Sequence, residues 1–271
     1  MTRQAYDSDL TDDEWTLFEQ KFNEIKSPRG RKPIIPRKEL VNAILYRLRT
    51  GCQWRSLPHD LPDWNNVAKT YRRWIKNGYW EKVHDLLCRD VRKKNGREEE
   101  PSALIIDSQS VKADSWAENT GYDAGKKIKG IKRHLVVDVL GLLIGVVVHA
   151  ADIQDRDGAK QLLLRVKDRL PRVELIWADG GYAGQLIEWV KRETSWELVI
   201  VKRTDDVHAF KVLPKRWIVE RTFGWLMFWR IMNRHHERKH DTAEADMRVA
   251  MMKNMLGFLT KVHPSPISTA A

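Results

Sequence analysis

Cysteine is nearly absent from this chain, which has two in 271 residues. Cys52 and Cys88 show neither a CxxC pair nor any other spacing of metal ligands, so the sequence excludes a disulfide framework and a thiolate zinc site. We expect two reduced, partly buried thiols in a protein that stays in the cytoplasm.

Long apolar runs are missing as well. Residues 1–10 lack the apolar core of a secretion signal, and no later stretch approaches the roughly 20 apolar residues that span a bilayer. Repeats and low-complexity tracts are also absent. The sequence therefore predicts neither secretion nor membrane insertion, and its length allows one large or two modest domains.

Acidic residues are in the minority. The chain has 48 lysines and arginines against 37 aspartates and glutamates, a formal net charge of +11. The excess is clustered, whereas a merely solvated surface would intersperse the two signs. Clustered positive charge favours a polyanion partner, usually nucleic acid, so we expect a nucleoid-associated protein. The clusters are Arg29–Lys38, Lys69–Lys76, Arg89–Lys94, Lys126–Arg133 and Arg230–Lys239.

Residues 1–95 have the pattern of a small all-α domain. Thr11 and Glu14 can form a capping box that begins a helix ending near Ile25. A basic stretch between prolines follows, and it is either an arm that enters the DNA minor groove or a plain basic linker. The basic residues assigned to this arm are Arg29, Arg31 and Lys32.

A later helix in this region, predicted from Trp64 to Asn77, has two distinct faces. Its apolar side chains share one face, which includes Val67 and Tyr71. Because another helix and a turn precede it, the pattern is typical of a helix-turn-helix recognition helix. A bundle helix with a solvated basic face is the alternative. The polar face consists of Asn66, Lys69, Arg73 and Lys76.

The pattern changes after residues 96–102, which lack apolar side chains and contain both a glycine and a proline. Such a stretch predicts a linker between domains. From residue 103 to 262 the order is β, ββ, α, β, α, β, α, which predicts an α/β domain with a mixed sheet and flanking helices. Residues 263–271 are expected to form a disordered tail.

Three carboxylates mark the candidate site of the second domain. Asp107 and Asp179 each close a short apolar run bounded by turn residues. Such runs are typical of central strands, and acids at their ends can converge. Glu220 lies in a helical stretch four residues after Arg216, hence on the same helix face. Three acids in so basic a chain indicate a metal site that acts on phosphate.

Five stretches around these acids carry a resemblance. They are Ile106–Lys112, Gly121–Lys127, His149–Ala159, Ala178–Tyr182 and Arg216–Leu226. In this order they resemble the motifs of DDE transposases of bacterial insertion sequences, close to insertion sequence family five. Stretches beginning at Leu10 and Leu48 also resemble that family's N-terminal helical domain, so the resemblance covers nearly the whole chain.

The resemblance implies a ribonuclease-H-like domain in which Asp107 and Asp179 lie on adjacent strands and Glu220 on the following helix. These acids would hold two Mg²⁺ ions, for which Mn²⁺ substitutes, because hard oxygen ligands select such cations. Two ions about 4 Å apart can activate an attacking oxygen and stabilise a leaving one. Water would attack first, and the resulting 3′-hydroxyl would then attack double-stranded target DNA. Synapsis of two transposon ends implies a homodimer.

The chain departs from the family pattern near the glutamate. Leu213 stands where the family has a tyrosine, and Met227 stands where it has a lysine or arginine. Arg216 is kept, and the resemblance implies that it contacts phosphate at the catalytic site. Arg230 lies one helical turn beyond Met227 and is a candidate replacement for the missing lysine or arginine.

A glycine-flanked basic loop precedes the second strand of the predicted sheet. We expect its cations to contact the phosphates of the scissile DNA, which supplies affinity but little sequence information. These residues are Lys126, Lys127, Lys129, Lys132 and Arg133.

Other acids in this domain have simpler explanations than metal binding. Asp152, Asp155 and Asp157 lack the ligand spacing of a calcium loop, so they are expected to cap the N-terminus of a helix. Asp138 is expected at a solvent-facing edge or hairpin position.

The histidines and tryptophans near the C-terminus are expected to have structural or surface positions. The histidines among basic residues predict a solvated or DNA-facing surface, and they are His235, His236 and His240. The tryptophans that recur along the predicted helix are expected in the core, and they are Trp217, Trp225 and Trp229.

Together these features predict a transposase that binds the terminal inverted repeats of its element through residues 1–95 and then cuts and joins DNA. Two alternatives remain. One is a transposase-derived regulator that binds DNA without cleaving it, and the other is a nuclease of the same fold that does not transpose. Metal-dependent cleavage separates transposase from regulator, and dependence on terminal repeats separates it from the nuclease.

Overall fold

The computed structural model describes residues 3–25, 34–201, 215 and 217–260. Several positions singled out in the sequence lie outside these ranges. They are Arg29, Arg31, Lys32, Leu213, Arg216 and the tail 263–271.

The described residues form a mixed α/β fold that begins with helices, as predicted. The helices are α1 (Asp12–Ile25), α2 (Arg37–Thr50), α3 (Trp64–Lys76), α4 (Tyr79–Lys94), α5 (Asp155–Val166), α6 (Gln185–Thr194), α7 (Trp217–Met227) and α8 (His240–Thr260). The strands are β1 (Ala103–Lys112), β2 (Gly121–Asp123), β3 (Ile128–Asp138), β4 (Leu143–Ala150), β5 (Leu175–Ala178) and β6 (Glu197–Ile200). In the described part of the chain no helix is both long and apolar enough to span a bilayer.

The chain divides into two compact units. The helical unit comprises Met1–Lys94, Leu226–Asn233 and Asp241–Ala271, and the sheet unit comprises Asn95–Trp225 and Arg234–His240. The helical unit thus includes most of α8, a segment that the sequence analysis assigned to the catalytic domain. The assignment of DNA binding to residues 1–95 and of catalysis to residues 103–262 remains a prediction.

Local signals in the sequence set the helix ends of the helical unit. The capping box at α1 is confirmed, because Thr11 Oγ1 accepts from the Glu14 N–H at 3.3 Å and Glu14 Oε2 accepts from the Thr11 N–H at 2.9 Å. Helix α2 ends at Gly51, whose φ of 73° is the left-handed conformation that glycine adopts without strain. Asp63 caps α3 by accepting from the backbone N–H groups of Asn65 and Asn66.

The two-faced pattern of α3 is confirmed. Val67, Tyr71 and Trp74 are buried, and the side chains of Asn66, Lys69, Arg73 and Lys76 are exposed. Residues 51–63 separate α2 from α3, however, which is longer than the three- or four-residue turn of a standard helix-turn-helix motif. Helix α3 therefore has the exposed basic face expected of a recognition helix, but its connection to α2 is longer than in the standard motif.

The core of the helical unit contains polar pairs as well as aromatic rings. The ring centroids of Trp74 and Trp80 lie 5.3 Å apart, and the Tyr71 hydroxyl donates to Asp246 Oδ1 at 2.6 Å. Glu14 has no exposed surface, and Lys253 Nζ donates to its two carboxylate oxygens at 2.7 and 2.5 Å. A buried carboxylate of this kind depends on its partner cation.

The sheet unit is built around one mixed sheet of six strands. Its order is β2-β3-β1-β5-β6, with β4 on β3. Strands β1 and β3 are antiparallel, as are β3 and β4, whereas β1 pairs in parallel with β5 and β5 with β6. A buried cluster that includes Leu104 and Ile176 packs one sheet face against α5 and α6. Strand β2 lies between the first and second strands of the predicted order, where the sequence analysis predicted no strand.

Strands β3 and β4 form a hairpin, and the prediction that Asp138 faces solvent was wrong. Asp138 is fully buried, and its Oδ1 accepts from the backbone N–H groups of Leu140 and Leu142, both at 2.9 Å. Gly141, at φ 82°, completes the turn. The side chain therefore closes the turn from inside and does not face solvent.

We expect Lys253→Met to destabilise the helical unit by about 3 kcal/mol, because it leaves the Glu14 carboxylate buried without its cation. Urea unfolding followed by circular dichroism measures this loss. The double variant Glu14→Gln/Lys253→Met should regain a large part of it, and Lys82→Met, at an exposed lysine of α4, is the control. Equal stability of Lys253→Met and the control would contradict the role given to this pair.

Candidate active site

The two aspartates at the ends of apolar strands lie at the same level of neighbouring strands. In the parallel pair of β1 and β5, Ala103 is opposite Leu175 and Ile105 is opposite Trp177. Asp107 and Asp179 each follow two residues after that last pair. Neighbouring strands lie about 4.8 Å apart, so the strand pairing brings these carboxylates to one edge of the sheet.

Asp179 begins a tight turn beyond β5. Its Oδ1 accepts from the Gly181 N–H at 2.8 Å and so caps the 3₁₀ turn Gly180–Tyr182. A Cβ placed on Gly181 would lie 3.1 Å from Asp179 Oδ1 and 3.6 Å from Asp155 Oδ2. The glycine thus leaves open a small space that carboxylate oxygens from two different elements border.

The buried phenol of Tyr182 ends this turn. The side chain of Tyr182 is 1% exposed. Burial raises its pKa well above the usual value, and the charges of Asp107, Asp155 and Asp179 raise it further. The hydroxyl therefore stays protonated.

Polar side chains continue from this edge across one face of the sheet. Ser108 on β1 is opposite His134 on β3, and Ser110 is opposite Lys132. All four are buried. Because residues two apart along a strand point to the same face, these side chains form a polar layer at the end of an otherwise apolar face.

Asp155, the first residue of α5, joins this polar layer. Its Oδ1 accepts from Ser108 Oγ at 2.9 Å and lies 3.0 Å from Lys132 Nζ, and His134 Nε2 is 3.8 Å away. Burial opposes its ionisation, but hydrogen bonds and charge from Lys132 and Ser108 outweigh burial and lower the pKa of Asp155. The expectation that this residue caps α5 was wrong, because Gln154 holds the cap position and makes no side-chain cap bond.

Glu220 is exposed on α7, a helix that is fixed to the sheet unit on both sides of this residue. Lys215 Nζ lies 4.0 Å from the centre of the Trp177 ring on β5. On the other side, Arg221 donates to the Leu140 carbonyl at 3.0 Å and Thr222 to the Gly141 carbonyl at 2.8 Å. Among the described residues, no three His, Cys, Asp or Glu side chains are grouped so that they could hold one ion. Asp107, Asp179 and Glu220 are thus not grouped as ligands of one ion in the described part of the chain.

The basic loop between β2 and β3 is only partly exposed. Lys126 and Lys127, in the connection between β2 and β3, and Lys129, on β3, are exposed, as expected. The prediction for Lys132 and Arg133 was wrong, because these side chains are 5% and 2% exposed and lie inside a paired strand. They are not available as surface contacts to DNA.

A basic cleft of about 600 Å³ lies at the far end of β1. Asp107 and Lys112 are five residues apart on this strand, about 17 Å at the usual rise of a strand. Tyr122, which is 54% exposed, is an aromatic side chain on the cleft wall. The basic residues that line the cleft are Lys112, Lys127, Lys129 and Arg234.

Comparison with known protein families fits this arrangement. A family model described as the transposase DDE domain matches residues 98–255. The chain belongs to this family. A second model, described as "Putative transposase of IS4/5 family", matches residues 10–84 in the N-terminal helices. The resemblance noted in the sequence is therefore confirmed.

Relatives of this DDE transposase family member come from two bacteria. From Burkholderia cepacia, "Insertion element IS402 uncharacterized 16.2 kDa protein" is 33% identical over 38% of this chain and 74% of its own length. "Putative transposase for insertion sequence element IS402" is 29% identical over 44% of this chain and 60% of its own length. "Uncharacterized protein y4sN" of Sinorhizobium fredii is 31% identical over 40% and 79%, respectively. No solved structure matches the chain significantly.

The oxygen donors of the candidate site suit the divalent metal ion that DDE transposases generally use. Asp107 and Asp179 supply carboxylates from two strands, which are the hard ligands that Mg²⁺ and Mn²⁺ prefer. The space above Gly181 is bordered by carboxylate oxygens, and a methyl group there would fill it. These residues fit such an ion.

The sequence analysis of this DDE transposase also predicted surface positions for three histidines and core positions for three tryptophans. His235 is 1% exposed and so does not lie on a solvated surface, whereas His236 donates through Nδ1 to Asp114 Oδ2 at 2.8 Å. Trp225 and Trp229 are buried, as predicted, but Trp217 is 41% exposed. Arg221 covers both the Trp217 and the Trp225 ring, at 4.5 and 4.7 Å from their centres.

We expect the His235 imidazole to make the protein less stable as the pH falls. Burial, followed by the charge of Arg133, lowers its pKa from 6.5 to about 3. As pH falls below 6.5, the unfolded chain takes up this proton first, so stability decreases by about 1.4 kcal/mol per pH unit.

Unfolding of the wild type and His235→Gln at pH 7 and pH 5 tests this sign. The variant should lose about 2 kcal/mol less than the wild type over this interval. The His235 Hε1 resonance should also stay at its neutral position to pH 5. Its titration near pH 6.5 in the folded protein would contradict the stated cause.

Proposed function

We propose that this protein is the transposase of an insertion sequence. It binds the terminal inverted repeats of its element and catalyses Mg²⁺-dependent cleavage and strand transfer. The observation that supports the proposal most directly is the parallel pairing of β1 with β5 in a chain of the DDE family. Asp107 and Asp179 each stand two residues after the last pair of this register. The ribonuclease-H-like arrangement of the sheet unit is part of this proposal.

In the proposed reaction Asp107 and Asp179 would hold two divalent ions. Glu220, which is exposed on α7 and is not grouped with two other such side chains among the described residues, would join them as the third family acid. When bound, the ions lower the pKa of a water or hydroxyl nucleophile and stabilise the charge on the leaving oxygen. The side chains of this protein hold the scissile phosphate in place. Arg216 contacts a phosphate oxygen, and the buried Tyr182 hydroxyl excludes water behind the two aspartates. In the first step water breaks the phosphodiester bond at the transposon end and leaves a free 3′-hydroxyl. In the second step this hydroxyl attacks a target phosphodiester, so a new bond joins that end to the target and the target's own 3′-oxygen leaves as a hydroxyl.

The DNA path of the proposed transposase follows its exposed cations. The face of α3 with Lys69 and Arg73 is assigned to the terminal repeats, together with Asn66, Lys76 and the arm containing Arg29, Arg31 and Lys32. Lys126, Lys127 and Lys129 hold the strand next to the cut, and the basic cleft continues from them. Arg230 contacts DNA in place of the lysine or arginine that the family has at the position of Met227. Two copies of the chain, each on one transposon end, form the synaptic complex in the cytoplasm.

We expect Asp107→Asn and Asp179→Asn each to slow cleavage of an end-labelled terminal repeat by a factor on the order of 10³, because a neutral amide is a poor ligand for a divalent ion. Binding of the same DNA in gel shifts should be unchanged. Asp157→Asn is the control, because this carboxylate is exposed and forms an ion pair with Lys160 on the same helix. Cleavage by Asp179→Asn at the wild-type rate would remove the proposed site.

We expect Lys69→Ala and Arg73→Ala each to weaken binding of the terminal repeat about tenfold, since each removes one contact to DNA. If Lys69 contacts phosphate, its loss should also reduce the slope of log affinity against log salt by about one. Lys82→Ala removes an equally exposed cation from α4 and serves as the control. Affinities within a factor of two for all three variants would exclude this face of α3 from the DNA contact.

A further inference from the structure

We propose that Asp155 is a positioning residue for the candidate metal site, holding Asp107 and Asp179 in place from behind the sheet. The inference rests on the proposed function, because it concerns the same two aspartates. It adds a residue that lies outside the three family acids. The argument depends on what each oxygen of the Asp155 carboxylate contacts.

The first contact fixes the strand that carries Asp107. Ser108 is its neighbour on β1, and Ser108 Oγ donates to Asp155 Oδ1 at 2.9 Å. The Ser108 side chain points to the face of β1 opposite that of Asp107, since successive side chains alternate. A shift of Asp107 along or across the sheet would therefore break this bond or displace the start of α5.

The second contact is a buried cation that offsets the negative charge. Lys132 Nζ lies 3.0 Å from Asp155 Oδ1 and donates to the Ile153 carbonyl at 2.8 Å. Its side chain is 6% exposed, and Asp123 Oδ2 lies 3.7 Å away. Because carboxylates repel one another strongly in a partly desolvated site, this cation makes it possible for Asp155 to stay ionised close to Asp179.

The other oxygen of the carboxylate faces the turn that carries Asp179. Asp155 Oδ2 borders the space above Gly181 together with Asp179 Oδ1. The same turn ends at Tyr182, whose hydroxyl lies 3.4 Å from His134 Nδ1, and His134 Nε2 lies 3.8 Å from Asp155 Oδ1. One carboxylate thus contacts the strand of the first aspartate and lies beside the turn of the second.

A purely structural role at the start of α5 is the competing explanation, and Asp157 separates the two. Asp157 lies in the same first turn of the same helix, its side chain is 56% exposed, and it pairs with Lys160 at 3.0 Å. Both acids interact favourably with the helix N-terminus. Of these two acids, only Asp155 contacts the strand of Asp107 and lies beside the turn of Asp179. Substitution of Asp155 should therefore weaken metal binding, and substitution of Asp157 should not.

The test is a titration of the full-length, metal-free protein with Mn²⁺ in the absence of DNA. Electron paramagnetic resonance measures the bound and free Mn²⁺ at each step. We expect Asp155→Ala to weaken Mn²⁺ binding at least about tenfold, as is typical when a side chain that orients a metal ligand is removed. Asp155→Asn should lose less, because its amide oxygen still accepts from Ser108 and Lys132. Ser108→Ala should also weaken binding, and Asp157→Ala should bind as the wild type does.

Wild-type Mn²⁺ affinity in folded Asp155→Ala would overturn the inference. If that variant does not fold, wild-type affinity in both Asp155→Asn and Ser108→Ala would overturn it instead. Asp107→Asn and Asp179→Asn complete the set. If these two lose Mn²⁺ and the Asp155 variants do not, only the positioning role fails, whereas unchanged binding in all of them contradicts the proposed metal site itself.

Discussion

Parallel pairing of β1 with β5 is the constraint on which the candidate site depends. It fixes the register of two strands that are distant in the chain, and Asp107 and Asp179 extend that register past its last pair. Two carboxylates on adjacent strands repel each other when they leave bulk water. Such a pair is stable only with positive charge nearby, and in this family a divalent ion supplies it.

Hydrogen-bond donors and a buried cation already surround Asp155 and Asp179 in the metal-free protein. Lys132 is buried beside Asp155, and Ser108 and the Gly181 N–H donate to Asp155 and Asp179, respectively. Lys132 and Ser108 lower the pKa of Asp155 and so favour its ionised form. The polar layer on β1 and β3 therefore has an electrostatic function, although it lies on a sheet face that is otherwise apolar. This explains why a lysine and a histidine occupy buried strand positions.

The sequence was sufficient where the deciding signal was local. The capping box of Thr11 and Glu14, the left-handed Gly51 and the apolar runs before Asp107 and Asp179 all act within a few residues, and the structure has them as predicted. Burial of Lys132 could not be predicted in this way, because it depends on β1, β4 and α5 packing around β3. The period-two spacing of Lys132 and His134 on the Ser108 face was the available signal.

Crystals of the full-length protein soaked with Mn²⁺ and measured at the manganese absorption edge test the central claim most directly. The account predicts an anomalous peak within coordination distance, about 2 Å, of a carboxylate oxygen from Asp107 and one from Asp179. Ordered aspartates with no peak between them at saturating Mn²⁺, or a peak held only by other residues, would contradict it.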